Sequence, residues 1–286
     1  MEQLLIFNVL QSLNTYLMKV ENKVIVVTGG GNGIGRELVL SLLRRGSRVA
    51  ALDINEETLN QTKELARPED RDRLSLHLMD IGNKDLIDQL PGQIIEIHGG
   101  VDGIINNAGI VQPFVKINDL DMSIIERLCH VNFFGALYMI KAFLPHLLKR
   151  PSAHIVNVAS MGGFIPIPGQ SIYGATKAAL KLLTEGLNSE LTDTNVDISI
   201  VFPGAIKTNI MTNSGLEMPK ADPGQEKNFN PMDAGKAADI IVEGMEKGKE
   251  RIFVGKDSRM LNRLYRLSPG FASRLIAKNM KSLLSA

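Results

Sequence analysis

The sequence contains little of what disulfide-stapled or metal-built proteins need. Its 286 residues include one cysteine, Cys129, which excludes an internal disulfide and any metal site made of cysteines. The five histidines show neither HxxxH nor HxH spacing, so we expect no metal. A single cysteine is typical of a reducing compartment, and we expect a cytoplasmic protein in which Cys129 is a buried structural thiol.

A charge excess and long apolar runs are also missing. The formal net charge of +1 argues against a general nucleic-acid binder, because such domains carry a marked basic excess. Polar residues soon interrupt the apolar run at positions 4–7, which is too short for a membrane span and lacks the flanks of a signal peptide. We interpret residues 1–17 as an N-terminal extension, either upstream of a natural start at Met18 or forming a short packing or surface-binding helix.

Between residues 24 and 254, strand-like apolar runs alternate with helix-length periodic segments. This alternation predicts an α/β fold with a single doubly wound parallel sheet and helices on both faces. The predicted strands are Val24–Val27, Arg48–Leu52, Leu74–Met79, Gly103–Ile105, Ala153–Val158, Asp197–Val201 and Arg251–Val254. The predicted helices are Glu37–Arg44, Glu56–Ala66, Lys84–Ile97, Met122–Leu148, Tyr173–Leu191 and Asp233–Lys247.

No linker or internal repeat divides the chain, so we expect one domain over residues 18–255. Within it, residues 210–231 are polar, contain three prolines and are long for a loop, which favours a lid, although a flexible insertion has the same composition. Residues 256–286 combine seven basic residues and one acid with apolar residues at helical spacing. They predict a basic amphipathic tail that lies on a membrane or partner, or covers the domain's own substrate cleft.

A glycine-rich turn, residues 28–35, follows the first strand and opens the first helix. Its glycines permit a tight turn and a close approach to a pyrophosphate, which the helix N-terminus favours. Asp53 ends the second strand, where a carboxylate can accept hydrogen bonds from an adenosine ribose and repel a 2′-phosphate. These features favour NAD over NADP, although the guanidinium of Arg36 beside the turn could instead contact a phosphate.

Tyr173 and Lys177 lie four residues apart on a predicted helix and therefore share a face. A cation beside the phenol favours the phenolate and lowers its pKa from about 10, so Tyr173 is a candidate acid/base. Ser160 lies thirteen residues before Tyr173 and directly follows the apolar run of residues 155–159. Taken alone, the Tyr/Lys pair is also typical of a solvated helix face.

With these motifs, the chain from about Lys23 to Val254 resembles the short-chain dehydrogenase/reductase family. The glycine turn is similar to the family's TGxxxGxG pattern, and residues 106–109 and 203–208 are similar to its NNAG and PGxxxT segments. Four residues match its catalytic tetrad: Asn132, Ser160, Tyr173 and Lys177. The resemblance implies a Rossmann fold, an NAD-linked oxidoreductase acting on CH–OH groups, and a homodimer or homotetramer built on the long helices.

The resemblance also implies a role for each tetrad residue. Ser160 holds the substrate oxygen, and Tyr173 exchanges a proton with that oxygen while a hydride moves to or from the nicotinamide. Lys177 lowers the phenol pKa and binds the nicotinamide ribose, and Asn132 anchors a water that connects Lys177 to solvent. Asn132 has an alternative role, in which it satisfies backbone groups at a helix kink.

The remaining site residues are expected at the cofactor and at the substrate. The expected cofactor contacts are Gly29, Asn32, Gly33, Ile34, Gly35, Asp53, Asp80, Ile81, Asn107, Ala108, Gly109, Tyr173, Lys177, Pro203, Gly204, Ile206 and Thr208. The expected substrate contacts are Ser160, Met161, Phe164, Tyr173, Ile210 and Met211, with Phe114, Ile165 and Pro168 nearby. Because these are mostly apolar, they favour a hydrophobic secondary alcohol or ketone. The alternatives are an NADPH-dependent 3-oxoacyl-carrier-protein reductase and a non-enzymatic cofactor-sensing regulator or scaffold.

Overall fold

The computed structural model describes residues 18–216 and 231–279. These residues form a seven-stranded parallel sheet in the order β3-β2-β1-β4-β5-β6-β7, which confirms the predicted doubly wound α/β fold. The strands are β1 Val24–Thr28, β2 Arg48–Asp53, β3 Leu74–Leu78, β4 Gly103–Asn106, β5 Ala153–Val158, β6 Val196–Pro203 and β7 Arg251–Val254. The strand order reverses between β1 and β4, and in open parallel sheets such a switch point creates a binding crevice at the carboxyl ends of the strands.

Ten α-helices surround this sheet in the described residues. They are α1 Gly33–Arg44, α2 Glu56–Leu65, α3 Lys84–His98, α4 Met122–Cys129, α5 Ala136–Leu147, α6 Ser171–Glu190, α7 Ile210–Asn213, α8 Ala234–Glu246, α9 Lys256–Leu267 and α10 Pro269–Asn279. The first helix begins four residues before its predicted start, because the side chain of Asn32 caps it by accepting a hydrogen bond from Gly33 N at 2.7 Å. The glycine turn therefore runs directly into a helix N-terminus.

The core consists of two apolar layers, one on each face of the sheet. Neighbouring residues of β1 point to opposite layers, as the pleat requires: Ile25 belongs to one layer and Val26 to the other. Residues of α1 and α8 complete the first layer, and residues of α3, α5 and α6 complete the second. Burial on both faces explains why the central strands β1, β4 and β5 contain mainly apolar residues.

The predicted helix Met122–Leu148 is interrupted. Between α4 and α5, residues His130–Gly135 form a turn of π-helix, an insertion that frequently marks a functional position. The combined stretch Met122–Leu147 is long and apolar enough, by length and composition, to cross a membrane. Its buried residues, such as Met139 and Phe143, pack against the sheet, as in the core helix of a globular domain.

The tail begins in direct contact with the domain. In the first turn of α9, the Asp257 carboxylate accepts a hydrogen bond from Ala205 N at 2.8 Å, and the Ser258 hydroxyl donates one to Phe202 O at 2.8 Å. The helices α9 and α10 also pack on each other. The expectations for residues 1–17, for positions 217–230 of the lid and for the end of the tail lie outside the described residues.

Candidate active site

Ser160 and Tyr173 meet just beyond the carboxyl end of β5. Ser160 begins a short 3₁₀ turn, Met161–Gly163, and its hydroxyl accepts a hydrogen bond from Gly162 N at 3.1 Å. A Cβ added to Gly162 would lie 3.5 Å from both Ser160 Oγ and Tyr173 Cε1, so the two side chains lie against the same glycine. The Ser160 hydroxyl and the Tyr173 ring therefore lie close to one another beside Gly162.

Lys177 is buried one helical turn beyond Tyr173. Its ammonium donates a hydrogen bond to Val158 O at 3.0 Å and lies 6.0 Å from the centroid of the Tyr173 ring. Burial lowers the pKa of Lys177 to about 8. The Val158 carbonyl thus holds the Lys177 ammonium beside β5 and compensates only part of its positive charge.

The pKa of Tyr173 does not follow the expectation from spacing. Burial raises the pKa of the phenol, and a hydrogen bond with the Ser160 side chain opposes this rise. The ammonium of Lys177 donates its hydrogen bond to the Val158 carbonyl. Burial of Tyr173 therefore favours the protonated phenol.

Asn132 lies in the π-helical turn, and its amide is occupied by backbone and side-chain partners. Its Oδ1 accepts from Ile110 N at 2.9 Å, and its Nδ2 donates to Ile110 O at 2.9 Å and to Thr176 Oγ1 at 3.2 Å. This arrangement matches the alternative role given to Asn132 from the sequence. The residue nevertheless remains at the site, since a Cβ added to Gly109 would lie 3.2 Å from Asn132 Oδ1 and 3.0 Å from Lys177 Nζ.

The glycine turn leaves no room for side chains. A Cβ added to Gly35 would overlap the carbonyl oxygen of Gly29 and lie 2.5 Å from Asn107 Nδ2. Gly29 has φ +68°, a left-handed conformation that glycine adopts readily, and a Cβ there would lie 3.0 Å from Ala108 Cα. The bare backbone at the N-terminus of α1 forms a cradle of the kind that holds the pyrophosphate of a dinucleotide, so these residues fit NAD(P).

Asp53 and Arg36 sit on either side of this turn, and the structure separates their roles. Asp53 Oδ2 accepts from Gly31 N at 2.9 Å and Oδ1 accepts from Asn55 N at 3.1 Å, which fixes the carboxylate beside the turn. Arg36 points away toward α2, where its Nε donates to Gly31 O at 2.9 Å and its second amino group donates to Gln61 Oε1 at 3.1 Å. The guanidinium of Arg36 therefore connects the turn to α2.

Other predicted cofactor residues gather at the same edge of the sheet, after β1, β4 and β6. Thr28 Oγ1 accepts from both Asn107 N and Ala108 N at 3.0 Å, which joins the NNAG segment to the end of β1. A Cβ added to Gly33 would lie 3.4 Å from the Thr208 side chain. The glycine turn therefore adjoins both the NNAG and the PGxxxT segments.

For three of the predicted cofactor residues, the side chain packs on the core, so they would contact a cofactor mainly through their backbone. The side chains of Ile34, Ile81 and Ile206 belong to or pack on the two core layers. Asp80 is exposed, and its Oδ1 accepts from Gly82 N at 2.8 Å. Pro203 is buried at the end of β6, where Gly204 N donates to Val254 O at 2.8 Å.

The predicted substrate residues divide into two groups. One group is half-buried: Met161, Ile210, Met211, Phe114 and Pro168. Ile165 is buried, and Phe164 packs its ring edge-on against Phe202 with centroids 5.3 Å apart, so these two contribute to the core.

One buried residue beside the site, Gln112, is absent from the sequence-based list. It follows the NNAG segment, and its side-chain oxygen accepts hydrogen bonds from Ile172 N at 3.0 Å and Tyr173 N at 2.9 Å. Its two hydrogen-bond partners lie about 60 positions away in the sequence, and no local sequence pattern identifies a glutamine with such a role. Nothing in its neighbourhood in the sequence could have identified it.

Comparison with known proteins agrees with this geometry. The family model described as short chain dehydrogenase matches residues 23–218, and the chain belongs to this family of oxidoreductases. A Mycobacterium tuberculosis protein named as the oxidoreductase SadH is 33% identical over 267 residues, which cover 90% of this chain and 95% of that protein. A Staphylococcus epidermidis protein named as an uncharacterized oxidoreductase is 35% identical over 193 residues, covering 67% and 81% of the two chains.

Solved structures share the fold. A short chain dehydrogenase from Burkholderia cenocepacia in complex with NADP is 25% identical with a TM-score of 0.75, covering 91% of this chain and 99% of that chain. A Burkholderia phymatum short chain dehydrogenase/reductase in complex with NAD has a TM-score of 0.77 at 23% identity, covering 87% and 96%. The two structures bind different dinucleotides, so they do not decide which cofactor this chain uses.

Proposed function

We propose that the protein is an NAD-dependent dehydrogenase/reductase of hydrophobic secondary alcohols and ketones, with Tyr173 as the general acid/base. The observation that carries this proposal is the meeting of Ser160 and Tyr173 at Gly162, with buried Lys177 one turn away. A bound NAD would supply the hydride acceptor or donor. The protein supplies the proton, the hydrogen bond to the substrate oxygen and the exclusion of water.

In this proposal, each side chain of the site has a defined role in proton transfer or binding. The Ser160 hydroxyl donates a hydrogen bond to the substrate oxygen and stabilises the charge that develops there. The Tyr173 phenol gives its proton to that oxygen in reduction and takes it back in oxidation. Lys177 would bind the nicotinamide ribose of the cofactor, and the π-helical turn at Asn132 positions the loop that contains Gly109. Because burial raises the pKa of Tyr173, we expect the rate of alcohol oxidation to rise with pH.

The preference for NAD is supported by Asp53 and by the position of Arg36. The Asp53 carboxylate, held by two backbone N–H groups at the end of β2, could accept hydrogen bonds from an adenosine ribose and would repel a 2′-phosphate. The nearby guanidinium of Arg36, which could have donated hydrogen bonds to that phosphate, donates to Gly31 O and to Gln61 of α2 instead. Both features favour a 2′-hydroxyl over a 2′-phosphate.

Replacing Asp53 by alanine is expected to reverse much of this preference. Loss of a charge-assisted hydrogen bond costs about 1.5–3 kcal/mol, so KM for NAD should rise roughly 10- to 100-fold. KM for NADP should fall, because the repelling charge is gone. Initial rates with both cofactors measure this, and Asp193→Ala, which removes an exposed carboxylate after α6, is the control. An enzyme that prefers NADPH before any substitution would contradict the assignment of Asp53.

The substrate class rests on the half-buried apolar residues near Ser160 and Tyr173. Met161, Ile210 and Met211 would contact a hydrophobic body better than a sugar. The runner-up, an NADPH-dependent 3-oxoacyl-carrier-protein reductase, uses the same tetrad but the other cofactor. Asp53 favours the first function over this one.

We also propose a homodimer or homotetramer that uses the long helices and forms in the cytoplasm. Large apolar side chains are exposed on their outer faces, including Met122 on α4 and Leu182 on α6, which are 64% and 68% exposed. Exposed apolar surface of this kind often marks a contact between subunits. Sedimentation velocity that finds a monomer at micromolar concentration would contradict this assembly.

The tail is proposed to bind an anionic membrane surface with its outer face. Met260 and Leu267, two turns apart on one face of α9, are 62% and 86% exposed, and Arg263 lies between them. The only acid of the tail, Asp257, points inward to Ala205 N. A surface that exposes apolar and basic residues without an acid is typical of interfacial helices, where each basic residue contributes about 1 kcal/mol near anionic lipid.

Co-sedimentation with vesicles tests the tail. The full chain should pellet with phosphatidylcholine vesicles that contain phosphatidylglycerol, and binding should fall at least several-fold in 0.5 M salt. The double variant Met260→Asp/Leu267→Asp should remain in the supernatant with unchanged turnover. The control Leu65→Asp/Ile97→Asp replaces two exposed apolar residues of α2 and α3 and should still bind. Equal vesicle binding by all three proteins would contradict this proposal and would indicate that the outer face of α9 is a solvated surface.

A further inference from the structure

Gln112 is a fully buried amide whose side chain is directed entirely at the start of α6. Its Oε1 accepts from Ile172 N at 3.0 Å and from Tyr173 N at 2.9 Å, while its Nε2 donates to Gly169 O at 2.9 Å. None of its surface is exposed to solvent. A buried amide that satisfies three backbone groups of one segment fixes the position of that segment.

These bonds replace a local helix cap. The first N–H groups of a helix have no partner within the helix, and the residue just before it usually provides one. Gln170, which precedes α6, makes no side-chain bond to the helix. Its Nε2 donates instead to Gln112 O at 2.8 Å. The cap of α6 therefore comes from the loop after β4, and Gln170 holds that loop in place.

We propose that Gln112 is a positioning residue that sets the place and the proton affinity of Tyr173. This inference rests on the proposed function, in which Tyr173 is the acid/base. Tyr173 is the third residue of α6, so its backbone N–H is one of the two that Gln112 fixes. A neutral amide oxygen caps the helix without cancelling the positive end of its dipole, which favours the phenolate. A carboxylate at this position would make the same bonds and disfavour the phenolate.

The loop that contains Gln112 also holds two other parts of the site. Ile110 pairs through both backbone groups with the amide of Asn132 in the π-helical turn. Val111 N donates to Ser214 Oγ at 3.0 Å, just after α7. Three consecutive residues thus connect the NNAG segment to Asn132, to the residue after α7 and to Tyr173. A change at Gln112 should therefore alter the geometry of proton transfer more than the binding of the dinucleotide.

Two substitutions separate positioning from simple stability. Gln112→Met keeps the volume but removes the hydrogen bonds, and we expect kcat to fall about 10- to 100-fold, the effect of a displacement near 1 Å. KM for NAD should change less than about twofold, since Gln112 does not contact the glycine turn. Gln112→Glu should restore kcat at low pH, where a protonated carboxyl can accept from α6 and donate to Gly169. At higher pH its charge should shift the rise of kcat/KM for alcohol oxidation to more alkaline pH.

The control is Asn83→Ala, which removes another side chain that accepts from two N–H groups at a helix start, those of Asp85 and Leu86 in α3. It should lower the thermal midpoint and leave kcat and the pH profile unchanged. Wild-type kcat and pH profile in both Gln112 variants would overturn the inference. Should Gln112→Met fail to fold, the pH profile of Gln112→Glu decides alone. If Tyr173→Phe is inactive while both Gln112 variants are normal, only this inference fails; if Tyr173→Phe is active, the proposed function itself fails.

Discussion

Tyr173→Phe is expected to reduce turnover by about 10³-fold or more while NADH binding stays within about twofold of the parent protein. General acid/base catalysis contributes about 10²–10⁴-fold, and the phenol oxygen is the proton-exchanging atom in the proposed site. The ring itself remains, so the space between Ser160 and Gly162 keeps its shape. Steady-state kcat and a titration of NADH fluorescence measure the two effects separately.

Tyr138→Phe is the matched control for this substitution. Tyr138 lies half-buried on α5, where its ring stacks on Phe134 with centroids 6.0 Å apart. Removing its hydroxyl should leave kcat unchanged. Residual turnover in Tyr173→Phe above about a tenth of the parent value would remove the phenol from the mechanism, whatever the control shows.

Gly35→Ala is expected to abolish cofactor binding and to destabilise the fold. The added methyl group would overlap the Gly29 carbonyl oxygen and the Asn107 side chain, both of which belong to the cradle. Overpacking of this kind costs about 1–3 kcal/mol or more, because the backbone must move to relieve it. The movement opens the turn, so NADH affinity should fall at least about 100-fold. Fluorescence titration and thermal unfolding measure the two consequences.

Gly92→Ala provides the comparison, because it adds the same methyl group to a helix. Gly92 lies in α3 with nothing within 4 Å of an added Cβ, so its substitution should stabilise the protein by about 0.5–1 kcal/mol and leave NADH binding unchanged. A Gly35→Ala variant that binds NADH with normal affinity would show that the glycine turn does not hold the cofactor.

Much of the fold follows from residue patterns that act over short distances. The central strands are buried on both faces, so they stand out as apolar runs, while the edge strands β3 and β7 are only partly buried. All seven predicted strands match those of the sheet within a few residues. The sheet edge that gathers the site follows from the same rule, because Asp53, Asn107 and Ser160 each lie at or just after the carboxyl end of a parallel strand. These placements need only strand order and direction.

The parts that could not be predicted depend on contacts between distant segments. The spacing of Tyr173 and Lys177 predicted a lowered phenol pKa, but Lys177 donates to Val158 O, and burial raises the pKa instead. The periodicity of residues 122–148 predicted one regular helix, yet Asn132 pairs with Ile110 inside a π-helical turn. The role of Gln112 has the same origin. In each case a partner in another strand or loop determines the local geometry, and helical spacing does not contain that information.

The position of the tail shows the same limit. Its basic and apolar pattern was visible in the sequence, and two placements were consistent with it. The contact of Asp257 with Ala205 N and of Ser258 with Phe202 O shows that the first turn of α9 is attached to the end of β6. Charge patterning identified an amphipathic helix, but only the structure shows which residues of its first turn contact the domain.

Initial rates of NADH formation from a series of hydrophobic secondary alcohols test the central proposal most directly. The protein at alkaline pH, supplied with NAD or NADP at matched concentrations, should reduce NAD with kcat/KM at least about tenfold above that for NADP. The rate should increase as the apolar body of the alcohol grows. Turnover confined to NADPH and 3-oxoacyl thioesters, or no turnover with either cofactor across the series, would contradict it.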